Sequence, residues 1–192
     1  DRAMGLIEVA RLAYEPTKLP PDIEPGLDET GTFTPQYWNW PTGVQTCEVE
    51  IDPETGRTEI VNFVCVDDVG TVINPLLMKA QMHGGIVQGV AQALWEEAIY
   101  DADGQLRSAN LADYLVPSAA ECIDMKLDHT VTPSPTNPMG VKGVGEAGTI
   151  ASTPAVMNAV VDALRPMGIT DVRMPASPMT VRRAIEAAGG SS

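Results

Sequence analysis

Basic residues are scarce in this chain: 12 Lys and Arg stand against 26 Asp and Glu over 192 residues, a formal net charge of -14. That balance excludes nucleic-acid binding, which needs a basic face, and electrostatic docking to an anionic membrane. Cysteine is nearly absent as well. Cys47, Cys65 and Cys122 are odd in number and lack C-x-x-C spacing, which argues against a disulfide framework and a zinc site. Cys47 and Cys65 lie in apolar, strand-like runs and are expected to pack as small hydrophobes in a reducing compartment. Only two histidines occur. His83 falls in a helical pattern and His129 in a separate strand-like segment, so neither is expected to ligate a metal. No run approaches the roughly 20 apolar residues of a membrane-spanning helix. The first residues, Asp1-Arg2-Ala3-Met4, show neither a leader pattern nor an initiator Met, so the chain is expected to begin inside a longer protein, with a cytoplasmic location.

With 44% apolar residues, the chain can bury a core. Residues 1–14 read as the end of a helix. Residues 15–43 are rich in Pro and Gly and hold Phe33, Tyr37, Trp38 and Trp40. An irregular segment this long is often functional or stretched across a partner. Contact with a part of the protein outside this chain is the favoured reading of those aromatics, and pinning of the loop to its own core is the other. Val44–Ile51 and Glu59–Asp67 alternate and flank the turn Asp52-Pro53-Glu54-Thr55-Gly56, which predicts a hairpin. Asn74-Pro75 opens a helix to about Glu97 that carries Gly84, Gly85 and Gly89 in its interior, where Gly costs about 1 kcal/mol each. Close packing or an approaching ligand would explain them. Residues 108–121 are a short helix or irregular, and 123–130 alternate as a strand. Thr153-Pro154 is expected to start a helix that ends at Pro166-Met167-Gly168. A short strand over 169–174 and a helix from Ser177-Pro178 to about Ala188 complete the pattern. Without a βαβ rhythm the expected fold class is α+β, with mixed sheet segments and packed helices. One domain over 1–192 is expected: helix end and extended loop to 43, body 44–188, flexible tail 189–192.

The densest chemical signal is Gly140-Val141-Lys142-Gly143-Val144-Gly145-Glu146-Ala147-Gly148, where four glycines surround one carboxylate. Small residues let backbone approach a bulky ligand. A loop of this kind also holds an acid where water is scarce, which raises a carboxylate toward the range of a general base. The bland alternative is a Gly-rich turn with Glu146 capping a helix. Asp101-Ala102-Asp103-Gly104 hints at a calcium loop, but later ligands are missing from the spacing. A nucleotide-binding reading of Gly143-Val144-Gly145 fails because no βαβ unit surrounds it and no Lys-Ser/Thr follows.

Three blocks in this order carry a specific resemblance: Asp67-Asp68-Val69-Gly70 with Asn74-Pro75, Gln81 to Gln88-Gly89, and Gly143-Val144-Gly145-Glu146. They resemble the C-terminal part of the molybdenum-cofactor-binding large subunit of the xanthine dehydrogenase, aldehyde oxidase and aerobic carbon monoxide dehydrogenase family, from the first helix to about Ala187. The resemblance implies a molybdenum–molybdopterin cofactor, in the cytosine dinucleotide form, with no protein ligand to the metal. It implies that Glu146 is the base that takes a proton from the metal-bound hydroxyl before that oxygen attacks an electron-poor carbon. Gln81, Lys142 and the amides of Gly143, Val144 and Gly145 would hold the cofactor. Gln88 and Gln92 would share a face with Gln81, while Lys142 would meet a phosphate, offset Glu146 or lie solvated. Asp67 and Asp68 would cap the following turn. Iron–sulfur clusters and FAD would sit on partner subunits, and the remainder of the large subunit would complete the cradle. His83-Gly84-Gly85 and Glu146-Ala147-Gly148 look like the carbon monoxide dehydrogenase branch, whose members act on carbon monoxide, aldehydes or N-heterocycles; Tyr37-Trp38-Asn39-Trp40 departs from it. The isolated chain is expected to be inactive. The alternative is a non-catalytic assembly domain with an acidic surface.

Overall fold

The computed structural model describes residues 3–189 and separates into two compact units, Asp1–Gln36 and Tyr37–Ser192. The first holds one regular helix, α1 (Leu6–Ala13), which is capped at its start by the backbone of Gly5 and buries none of its residues. A single 3₁₀ turn over Pro16–Lys18 follows. The amide of Gly26 returns to the carbonyl of Ala13 at 2.7 Å, closing the loop on its own helix.

The second unit carries the fold. Its hairpin pairs β1 (Thr42–Ile51) with β2 (Thr58–Asp68) in antiparallel register. Asp52 closes the turn by accepting from the Glu54 amide and the Thr55 hydroxyl, a local carboxylate-to-backbone bond that competes well with extended structure. Strand β3 (Lys126–Thr130) then joins β2 in parallel, Val64 facing Lys126 and Asp68 facing Thr130. The result is a three-stranded mixed sheet in the order β1-β2-β3. A parallel neighbour requires a crossover, and that crossover contains α2 (Pro75–Leu94). The Asn74 side chain accepts from the amides of Leu76 and Leu77, with Pro75 at the first helical position, where its missing N–H costs nothing.

The helix α3 (Ala147–Leu164) lies against both α2 and β1, and α4 (Pro178–Gly189) ends the described chain. Phe63, Cys65, Met82, Ile86, Val90, Val156, Val160, Leu164 and Val181 form the fully buried core between sheet and helices. Each such side chain is worth about 1.5–3 kcal/mol on leaving water. The expected α+β class is what forms.

Four features differ from the sequence reading. Helix α3 starts six residues earlier than Thr153, and Pro154 lies inside it. Proline removes one ladder hydrogen bond; here the preceding turn is held instead by tertiary bonds to the carbonyls of Ala147 and Gly148 and by the Thr149 hydroxyl on Gly85. Residues 169–174 are not a strand, since no neighbour offers a ladder, although Ile169 and Val172 are still buried and Ala176 donates to the Ala93 carbonyl at 2.7 Å. Helix α2 stops at Leu94 rather than Glu97, and the third strand begins at Lys126. Of the expected flexible tail, Gly189 closes α4, and residues 190–192 lie outside the described residues.

Helices α2 and α3 meet with a constant offset in sequence. Gln81 bonds Gly145, Thr149 bonds Gly85 and Thr153 bonds Gly89, each across 64 residues. Equal steps of four along both segments mean that they run parallel, one contact per turn. Glycine makes the approach possible. A Cβ on Gly89 would stand 1.9 Å from the Ser152 Oγ, and one on Gly148 would stand 2.6 Å from the Met82 carbonyl oxygen. Gly85 faces the Gly148 Cα in the same seam. Gly84, by contrast, faces open space. Gly89→Ala is therefore expected to destabilise the fold by about 1–3 kcal/mol through overpacking, whereas Gly84→Ala gains about 0.5–1 kcal/mol from reduced chain entropy. Urea unfolding of the two variants should give opposite signs; equal signs would contradict the seam.

Candidate functional site

The C-terminal end of β2, the start of α2 and the 140–148 loop converge on one cleft of about 380 Å³, lined by Thr71, Asn74, Leu77, Gln81, Lys142 and Gly145 among others. Gly70 and Val141 form an antiparallel bridge that ties the loop to the strand end, with the Lys142 amide on the Val69 carbonyl at 2.9 Å. Gly140 takes φ +68°, and a Cβ there would strike Pro133, so the 140–148 loop needs glycine's left-handed freedom at this position.

Gln81 and the glycine loop, separated by 64 residues, are brought together: the Gln81 Nε2 donates to the Gly145 carbonyl at 2.8 Å. That leaves Gln81 one N–H and an acceptor oxygen. The amides of Gly143, Val144 and Gly145 donate to no group among the described residues, and Gly143 and Gly145 face open space. Successive free amides offer donors to oxygen-rich or anionic ligands.

Glu146 stands at the N-terminal boundary of α3. Its carboxylate makes no capping bond and is exposed. The expectation of a water-poor loop around it is therefore not met within this chain, because the glycines that flank it carry no side chains to cover it. The helix-cap reading fails too, since the side chain bonds no backbone amide. A carboxylate at a helix start does gain from the macrodipole.

Lys142 is neither solvated nor beside Glu146. Its Nζ pairs with Asp68 Oδ1 at 2.9 Å, and both side chains are largely buried. Asp68 also accepts from the Gly70 amide and the Thr130 hydroxyl. The Thr132 hydroxyl foremost, then the Lys142 ammonium and the Gly70 amide, hold its carboxyl far below the usual carboxylate range. Asp68 thus caps the turn, as expected, and its ion pair locks the loop to β2.

Asp67 behaves differently. It is 2% exposed and points to the helix side of the sheet, and its Oδ2 has no partner. Burial pushes its carboxyl up, against a lowering bond from the Cys65 thiol. Gly43 opposite makes the room, for a Cβ there would lie 1.8 Å from Asp67 Oδ1. The neighbouring thiols rise with burial as well, Cys65 to about 12 and Cys47 to about 11, as inert packing residues should.

Of the other residues singled out, Gln92 accepts from the Thr153 hydroxyl at 3.3 Å, Gln88 is exposed, and His83 and His129 sit on α2 and β3. Tyr37, Trp38 and Trp40 are exposed, so they do not pin their segment; Asn39 does, with its amide on Val141 and Thr136. One site residue escaped the sequence reading. The Gln45 Nε2 lies 3.1 Å from the carbonyls of both Ala147 and Gly148, directly after Glu146. The available signal was its place on the inward-facing alternation 45, 47, 49, 51 of β1, otherwise filled by Cys47, Val49 and Ile51.

Comparison with known proteins identifies the family. Residues 1–123 match the molybdopterin cofactor-binding domain family. The carbon monoxide dehydrogenase large chain of Hydrogenophaga pseudoflava is 38% identical over 179 residues, 93% of this chain and 22% of that protein. The nicotine 6-hydroxylase large subunit of Paenarthrobacter nicotinovorans is 36% identical over 96% of this chain and 23% of its own length. Reconstituted CO dehydrogenase from Oligotropha carboxidovorans superposes with a TM-score of 0.89 at 34% identity, over 96% of this chain and 23% of that one. The chain therefore spans under a quarter of the length of these relatives. It belongs to the molybdopterin cofactor-binding domain family.

The buried carboxyl gives a pH test. A carboxyl whose pKa is raised on folding contributes fully below its unfolded value, about 4, and its contribution is lost as pH rises through the raised value. Asp67→Asn stays neutral throughout, so its thermal midpoint relative to the parent protein should rise with pH above 4. A difference independent of pH would show that folding does not raise the Asp67 pKa, and a difference that falls with pH would show that Asp67 is held ionised.

Proposed function

On the premise of that membership, we propose that this chain is the C-terminal portion of a molybdenum hydroxylase large subunit of the carbon monoxide dehydrogenase-like branch. It contributes half of a molybdopterin site and the general base Glu146. The observation that carries the reading is the junction of Gln81 with Gly145, which sets a free amide-and-acceptor edge and the unbonded amides of Val144 and Gly145 on the cleft wall, with the Gly143 amide and the exposed Glu146 carboxylate next to them in the loop. This donor set fits a pterin with its attached phosphates: the amides of Gly143, Val144 and Gly145 serve anionic oxygens, and Gln81 serves a ring edge that both donates and accepts. When bound, the cofactor supplies the oxygen-transfer and two-electron redox chemistry.

The chain's own residues bind, orient and move a proton. Glu146 accepts a proton at a carboxylate oxygen as the oxygen nucleophile forms. Lys142 acts indirectly, fastening the loop through Asp68. The substrate is carbon monoxide, an aldehyde or an N-heterocycle, with the cytosine dinucleotide form of the cofactor. Electrons leave through iron–sulfur and flavin partner subunits in the cytoplasm. The remainder of the large subunit covers Glu146 and supplies the water-poor surroundings that this chain lacks, with Trp38 and Trp40 turned toward it; the chain alone does not turn over substrate.

A second reading, a non-catalytic assembly domain, draws on those same exposed aromatics. One experiment separates the two. In the assembled enzyme, Glu146→Gln should lower turnover by about 10²–10⁴-fold while molybdenum and pterin contents, measured by elemental analysis and pterin fluorescence, stay at the parent level. Undiminished turnover would favour the assembly domain.

A further inference from the structure

We propose that Gln45 is a positioning residue for the Glu146 carboxylate, acting through the carbonyls of Ala147 and Gly148. The proposal rests on the reading of Glu146 as the base. Four carbonyls run from Gly145 to Gly148, and three of them are gripped by glutamine amides from two different elements. Gln81 on α2 holds Gly145 from one side at 2.8 Å, and Gln45 on β1 holds Ala147 and Gly148 from the other at 3.1 Å each. Glu146 sits between the two grips; its carbonyl accepts from the amides of Thr149 and Ile150, and its side chain makes no capping bond. With a side chain free of partners, the direction in which the carboxylate leaves the backbone is set by the backbone alone, and these amides fix that backbone.

Packing does not account for Gln45. It occupies an inward position of β1, on the face shared with Cys47, Val49 and Ile51, and its Oε1 is buried without a partner. An apolar side chain of the same length would fill the space without stranding an oxygen, and a stranded buried acceptor is unfavourable. The two donor bonds to the first turn of α3 are the feature that only an amide supplies there. They also account for the helical turn that starts six residues ahead of Thr153. The grip is anchored in the most regular part of the fold: Gln45 pairs with Cys65 in the hairpin register, and Cys65 is fully buried. Sheet and helix thus hold the turn at both ends, which is how a base is kept within the narrow tolerance that proton transfer demands.

The test compares Gln45→Met, an apolar isostere, with Gln45→Asn, whose shorter amide withdraws from both carbonyls. In the assembled, cofactor-loaded enzyme, each should lower kcat per bound cofactor about tenfold with KM and cofactor content unchanged. In the cofactor-free protein, amide hydrogen exchange over residues 147–152 should accelerate while exchange in β2 stays the same. Full kcat per bound cofactor in both variants would overturn the proposal, as would unchanged exchange over 147–152. Glu146→Gln is measured alongside. If it is inactive while the Gln45 variants work normally, the positioning role alone is wrong. If it turns over normally, the role of Glu146 falls and the positioning role with it.

Discussion

The close parallel contact of α2 with α3 is the constraint on which the rest depends. Contacts at 81–145, 85–149 and 89–153 recur at one offset, so the register of one helix dictates the other. The approach is closer than side chains would allow, and Gly85, Gly89 and Gly148 supply the missing volume. Threonine hydroxyls on the carbonyls of Gly85 and Gly89 compensate for polar backbone brought into a tight interface. The Gln81–Gly145 bond is the last step of the same ladder, one turn beyond the helical part of the seam. The candidate site is therefore the open end of a packing interface.

A second feature follows from the sheet. The paired aspartates at the end of β2 point to opposite faces, as adjacent strand residues must, and their chemistry diverges accordingly. Asp68 meets a lysine, an amide and hydroxyls and is held ionised; Asp67 meets a core and an opposing glycine, and its charge is disfavoured. One dipeptide thus fastens the glycine loop from one face and occupies the interior on the other. A sequence motif of two carboxylates shows none of this asymmetry until the face of each is known.

Much of the architecture was legible from the chain. The hairpin came from alternation broken by Asp52-Pro53-Glu54-Thr55-Gly56, and the start of α2 from Asn74-Pro75, because both signals are local bonds that form wherever the chain goes. The unreadable parts were those where distant groups override local preference. The start of α3 was placed at Thr153 because proline normally opens helices, yet the helix starts at Ala147, where bonds from Gln45, across about a hundred residues, hold its first turn. Residues 169–174 had strand-like composition but no edge to pair with.

For the site, the residue types and their order along the sequence determined that Gln81, the 143–145 amides and Glu146 were the candidates, since only glycine-rich backbone and amide or carboxylate side chains offer that chemistry. Spacing along a chain carries no distances. Tertiary structure alone decided that Gln81 reaches Gly145, that Lys142 is committed to Asp68, that Glu146 stays exposed in this chain, and that a glutamine on β1 grips the turn that carries it. Each of those outcomes depends on which faces the helix seam and the strand pleat bring together, and that geometry exists only after the core has closed.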